Sequence, residues 1–175
     1  METKYKILQK DGLSNDPIFL EVKTLVKEIH SFMNTPETIQ KINKTHKINA
    51  KSGEIQNILL EKFNELGFMS EKNGLFNQYK TSALRPDYYK KLGKNNGIIL
   101  EVERGKTLAN NMDMLDIWKC HICKNANYLF LIVPQIRQTE KGTKNVIYDK
   151  VIDRLESFFI KENYLNIDAI VIFGY

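Results

Sequence analysis

The chain predicts an α/β fold in which a mixed central sheet is flanked by helices. Three observations carry this expectation. Residues 127–133 run Asn-Tyr-Leu-Phe-Leu-Ile-Val and stop at Pro134, while 168–173 carry Ala-Ile-Val-Ile-Phe after Asp168. Uninterrupted apolar runs of that length belong to strands covered on both faces. Between such runs lie segments whose apolar residues recur at helical spacing, so strand, helix and strand alternate and a right-handed parallel crossover follows. Finally, Gly93, Asn95, Asn96 and Gly97 cluster between two strand-like stretches. These residues accept positive φ or bond their own backbone, which makes a hairpin and hence an antiparallel pair.

The elements follow in order. In 17–33, Phe19, Val22, Leu25, Val26 and Ile29 form one helical stripe. Residues 34–51 are polar and basic, with Lys41, Lys44, His46, Lys47 and Lys51. They read as a loop or a short helix, and their charges as a phosphate-contacting arm or a solvated face. Ser52 is placed to cap a helix through Leu66, with Ile55, Ile58, Leu59 and Phe63 inward and Gly67 ending it. A strand near 84–89 turns back through 90–97 into a strand that opens with Ile98, Ile99 and Leu100. Thr107 then caps a helix to about Lys124, whose expected buried stripe is Leu108, Met112, Leu115, Trp118 and Ile122. That stripe leaves Asn110, Asn111, Asp113, Asp116 and Lys119 on other faces, with Lys119 able to point back to the strand ends. Beyond the central apolar strand, 135–145 reads as a polar loop, and Ile147, Val151, Leu155 and Phe158 mark a helix over 146–160.

Composition is permissive. A chain of 175 residues, 42% of them hydrophobic, fits one domain over 1–175 with its own core. The net charge of +5 favours a polyanionic partner only modestly. No run approaches the length of a membrane span, and Met-Glu-Thr-Lys-Tyr-Lys at the N-terminus lacks the apolar core of a secretory signal. The expected setting is the cytoplasm, and the abundance of Lys, Asn and Ile matches an AT-rich bacterial or phage coding bias. No phosphate-cradling glycine loop and no G-x-S-x-G elbow occurs. Cys120-His121-Ile122-Cys123 is half a metal site at most: no second cysteine pair exists, and the motif falls inside a helix. Two buried, reduced thiols are the expectation.

The chemistry concentrates in Asp87, Glu101 and Glu103. Glu101 and Glu103 stand at alternate positions of a strand, on one face, with Cα atoms about 7 Å apart. Two like charges on such a face are costly unless a cation or hydrogen-bond donors meet them. The hairpin puts Asp87 near the end of one strand and Glu101 on its neighbour, and since cross-strand pairs lie about 5 Å apart at Cβ the carboxylates can converge. Carboxylate oxygens are hard ligands, suited to Mg²⁺, Mn²⁺ or Ca²⁺. The alternative is three solvated charges on a sheet edge, paired with Lys or Arg.

Pro86-Asp87, a gap, then Glu101-x-Glu103 resembles the PD-(D/E)xK nuclease superfamily over residues 52–134. It is similar to the variant with Glu in place of the usual Lys, as in restriction endonucleases of the Bam and Bgl type. The resemblance implies a restriction-endonuclease-like fold, with the N-terminal helical segment 17–51 outside the shared core. It further implies Mg²⁺-dependent hydrolysis of DNA, with Mn²⁺ able to substitute. Asp87 and Glu101 would hold the metal, Glu103 would orient or deprotonate the attacking water, and Glu54 on the preceding helix would assist. Glu103 leaves the usual lysine unaccounted for; Lys106 or Lys119 would supply its charge, or a metal-bound water would need none. Lys44, Lys47, Lys106, Lys119, Arg137, Lys141 and Lys144 are the candidate contacts to double-stranded DNA. A type II restriction role implies a homodimer, because two active sites related by a two-fold suit a palindromic duplex. A repair, recombination or phage nuclease, or a DNA-binding protein without turnover, stays open beside it.

Overall fold

The computed structural model describes residues 2–48, 50–70, 74–79, 84–139 and 142–175. Its centre is a sheet of six strands in the order β1-β8-β5-β4-β3-β2. The strands are β1 (Lys4–Gln9), β2 (Met69–Ser70), β3 (Tyr88–Lys91), β4 (Gly97–Val102), β5 (Tyr128–Val133) and β8 (Ala169–Gly174). β4, β5 and β8 are mutually parallel, whereas β1, β3 and β2 pair antiparallel. The sheet is therefore mixed, as expected. The edge strand β1 goes unnoticed in the sequence because Lys4-Tyr5-Lys6 is exposed and breaks any apolar pattern.

Period-two alternation sorts the core. From β5, Tyr128, Phe130 and Ile132 pack on one side, and Leu129, Leu131 and Val133 on the other. The first side receives helices α1 (Pro17–Met33), α2 (Pro36–Thr45) and α3 (Ser52–Glu65). The second receives α4 (Met112–Ile122) and α5 (Tyr148–Leu155). Asp16 caps α1 by accepting the Phe19 N–H at 2.8 Å, ahead of Pro17 at the first helical position. Thr35 and Pro36 repeat that arrangement for α2, which settles the ambiguous segment as mostly helical. Lys51, not Ser52, is the N-cap of α3, and Gly67 adopts a φ of 80° just past its end.

Two expectations about the second half need correction. The stretch 135–145 is not a plain loop: Ile136–Gln138 (β6) and Lys144–Val146 (β7) form a small antiparallel hairpin. More consequential is α4. It starts at Met112 rather than after Thr107, and of its expected core stripe Leu108 and Ile122 pack against the core while Leu115 and Trp118 face outward, 39% and 44% exposed. The inward stripe is Asp113, Asp116, Ile117 and Cys120, at i, i+3, i+4 and i+7, with Lys119 beside it. Ile117 and Cys120 supply the apolar contact, and the charged members of that face reach the end of β4. Cys120 and Cys123 are buried free thiols.

Candidate active site

The β3–β4 hairpin builds the site. Tyr88 pairs with Leu100 and Lys91 with Gly97, so Asp87 lies across from Glu101. The turn closes through Leu92 and Gly93 N–H groups donating to the Asn96 carbonyl. Gly97 is obligatory here: a Cβ would stand 2.6 Å from the Asn125 carbonyl and 2.7 Å from the Tyr89 ring. The two carboxylates are interlocked through the backbone. Glu101 Oε2 accepts the Asp87 N–H at 3.1 Å, and Asp87 Oδ2 accepts the Val102 N–H at 2.9 Å. Glu103 continues the ladder by donating its N–H to the Ile132 carbonyl at 2.8 Å.

Alternation then decides which helix meets these groups. Leu100 and Val102 face α3, while Ile99 faces α4. Glu101 and Glu103, in phase with Ile99, take the α4 face. Lys119 Nζ lies 2.5 Å from Glu101 Oε1 and 2.8 Å from Asp116 Oδ1. All three groups are withdrawn from water: Glu101 is 4% exposed, Asp116 0% and Lys119 7%. Asp113, also fully buried, is met by Arg154 at 3.4 Å. The sequence reading sets Asp113 and Asp116 on other faces of this helix and gives them no role, although their spacing to Ile117 and Cys120 is helical; the rival stripe through Trp118 is more apolar.

This cluster carries more negative charge than its cations balance. Burial, then the Asp116 and Asp87 charges, push the Glu103 carboxyl up to about 8. Burial and the same neighbours raise Glu101, against the opposing pull of Lys119. Burial also lifts Asp116 to about 6, with Lys119 opposing. For Lys119, burial alone would depress the ammonium, but Glu101 and Asp116 overcome it and hold it above its ordinary value.

A stability prediction follows from those shifts. Between the ordinary carboxylate value of 4.5 and about 8, the folded chain holds a proton on Glu103 that the unfolded chain has lost. Stability therefore falls as pH rises through that window. The melting temperature in EDTA is expected to drop by several degrees from pH 5 to pH 9, and Mn²⁺ is expected to flatten the fall. A melting temperature that climbs across this range would refute the cluster's electrostatics.

The donor set suits a hard divalent cation in kind: every ligand on offer is a carboxylate oxygen, and buried Asp116 Oδ2 has no hydrogen-bond partner. It is not a ready-made cage, since among the described residues no three His, Cys, Asp or Glu side chains are arranged to hold a metal. Lys119 meets Glu101 instead.

The remaining candidates separate. Glu54 is exposed at the start of α3, the helix on the opposite side of the sheet, and its Oε2 accepts the Lys51 N–H at 3.1 Å. It caps a helix and is not brought to the cluster. Arg137 is tied to the Gly105 carbonyl, and Arg104 to the Lys47 and Ala50 carbonyls. Those two arginines brace the loops around the site. Lys44, Lys47, Lys106 and Lys144 are exposed. Lys44 and Lys47 line one groove beside α2 and α3; Lys47 also lines a second with Arg104, Gln138 and Lys144. Arg104 directly follows Glu103, so this basic surface adjoins the acidic strand. Lys141 lies outside the described residues.

No family model matches the chain, and no curated protein matches it significantly. Among solved structures, it is similar to the crystal structure of the restriction endonuclease BglII complexed with a DNA 16-mer. The TM-score is 0.51 at 13% sequence identity, covering 99% of this chain and 78% of that one. The fold is thus restriction-endonuclease-like: a mixed sheet flanked by helices.

Proposed function

We propose that this protein is a Mg²⁺-dependent endonuclease that hydrolyses DNA phosphodiester bonds, in the manner of a type II restriction enzyme. The observation that carries the reading is the convergence of Asp87, Glu101 and Lys119 beside Glu103 on a restriction-endonuclease-like sheet. Support for a DNA substrate comes from the groove lined by Lys47, Arg104 and Lys144, which adjoins Glu103 through Arg104, and from the DNA bound to the similar solved structure.

Asp87 and Glu101 would hold the cation, with Mn²⁺ able to replace Mg²⁺. A cation held there would polarise the scissile phosphate and lower the pKa of a bound water. Glu103 accepts a proton from the attacking water as its oxygen approaches phosphorus, and as the bond to the leaving oxygen breaks that oxygen takes a proton from solvent water. Its raised carboxyl suits it to that task only where positive charge lowers it again or the pH exceeds about 8. Lys119 supplies the ammonium that the strand motif lacks, delivered from α4 and held by Glu101 and Asp116. A homodimer would present two such sites to the two strands of a duplex.

Cleavage of plasmid and phage DNA with Mg²⁺ or with EDTA tests the reading. Discrete metal-dependent bands support a site-specific endonuclease. A metal-dependent smear points to a repair or phage nuclease of the same fold, and binding without cleavage to a DNA-binding protein. The lysines make a separate prediction. Lys47→Ala with Lys144→Ala is expected to weaken duplex binding for all sequences alike. In a salt titration followed by fluorescence anisotropy, the slope of log affinity on log salt should fall by about 2, roughly one per lysine. An unchanged slope would remove both from the DNA path.

A further inference from the structure

Lys119 is a cation already seated on the carboxylate that the proposed metal needs. Glu101 has both oxygens engaged, Oε2 by the Asp87 N–H at 3.1 Å and Oε1 by Lys119 Nζ at 2.5 Å. A Mg²⁺ ion bonds carboxylate oxygen at about 2.0–2.1 Å. Sharing Oε1 would therefore put it within about 5 Å of the ammonium, where like charges repel strongly in a poorly solvated site. Asp116 changes what Lys119 can do. It lies one helical turn before Lys119 on α4, is fully buried, and its Oδ1 holds Nζ at 2.8 Å independently of Glu101. The ammonium thus has a second carboxylate to remain on.

We infer that Lys119 and a divalent cation compete for Glu101 Oε1, and that metal entry hands the ammonium from Glu101 over to Asp116. This rests on the metal-dependent reading above, and it makes α4 part of the metal site without contributing a metal ligand. In this scheme Lys119 is the built-in counter-ion of the acidic cluster, and its release sets how tightly the cluster takes metal.

The experiment is calorimetric titration of the full-length protein with Mn²⁺ alone, without DNA, on wild type, Lys119→Met, Lys119→Arg and Lys124→Met. Lys124 is exposed just past the end of α4, so Lys124→Met removes one charge without touching Glu101. Lys119→Met is expected to bind Mn²⁺ about tenfold tighter or more, a difference of about one unit in log affinity. Lys119→Arg and Lys124→Met are expected to bind as wild type does. Thermal melts accompany the titration: Lys119→Met should melt lower than wild type in EDTA and recover most of the difference in Mn²⁺. Equal Mn²⁺ affinity in wild type and Lys119→Met overturns the competition while leaving the nuclease reading intact. A matching gain in Lys124→Met reduces the effect to overall charge and overturns it too. A Lys119→Met protein that unfolds and is not recovered by Mn²⁺ also counts against it. Absence of Mn²⁺ binding in every variant removes the metal reading and this inference together.

Discussion

Asp87→Ala is expected to abolish Mg²⁺-dependent DNA cleavage, with a loss on the order of 10³-fold or more, while duplex binding survives. The two functions separate because Asp87 belongs to the carboxylate cluster and exposed Lys47 and Lys144 to the groove beside Arg104. The substitution has opposing effects on the fold. It removes the acceptor of the Val102 N–H, and an unpaired buried N–H costs about 1–3 kcal/mol. It also removes one of the charges that raise Glu101 and Glu103, which offsets part of that cost. Asp87→Asn keeps an oxygen for the Val102 N–H while losing the charge, so it separates folding from chemistry. The expected result is a well-folded Asp87→Asn protein that binds duplex DNA and does not cut it. Cleavage at the wild-type rate by either variant would place the metal elsewhere. Joint loss of cutting and binding in Asp87→Ala, with Asp87→Asn intact in both, would show that Asp87 serves only the fold.

How much of this was legible in the sequence depends on which physical signal each residue obeys. Ile98 to Leu100 and the β5 run are apolar on both faces, and both are fully buried strands. The hairpin that lets Asp87 and Glu101 converge was legible in its turn residues; its register, Tyr88 opposite Leu100, comes from the structure. The helix face of α4 was misread for a reason tied to the site itself. Hydrophobic periodicity assigns the inward face to the most apolar stripe, and Leu115 and Trp118 outbid Ile117 and Cys120. Here the inward face carries Asp113, Asp116 and Lys119 because Lys119 pairs with Glu101 on β4 and with Asp116 beside it, and Asp113 pairs with Arg154 on α5. Buried charges are costly unless paired, so a polar stripe turned to the core marks a place where local patterning yields to another demand. Glu54 failed for a topological reason: its helix packs on the opposite face from Glu101, and no spacing rule reports which side of a sheet a helix will cover.

Glu103→Gln should move stability and activity in opposite directions. Glutamine has nearly the same shape and no proton to lose, so at pH 5, where the Glu103 carboxyl is already protonated, the two proteins should melt alike. At pH 9 the wild-type group is ionised against burial and against Asp116 and Asp87, and the variant is relieved of that strain. Its melting temperature in EDTA should then exceed that of wild type, by a margin that appears only as pH passes about 8. Cleavage should fall by about 10²–10⁴-fold, the usual range for a lost general base. The wild-type single-turnover rate should rise with pH, because Glu103 accepts a proton only when ionised; the variant should lose that part of the rise. Mn²⁺ affinity decides between two roles. If it is nearly unchanged in Glu103→Gln, Glu103 works on the water; if it falls together with the rate, Glu103 holds the cation. Wild-type cleavage by Glu103→Gln would exclude both. Such a pairing of higher stability with lower turnover is expected of a group kept in an unfavourable place for its chemistry.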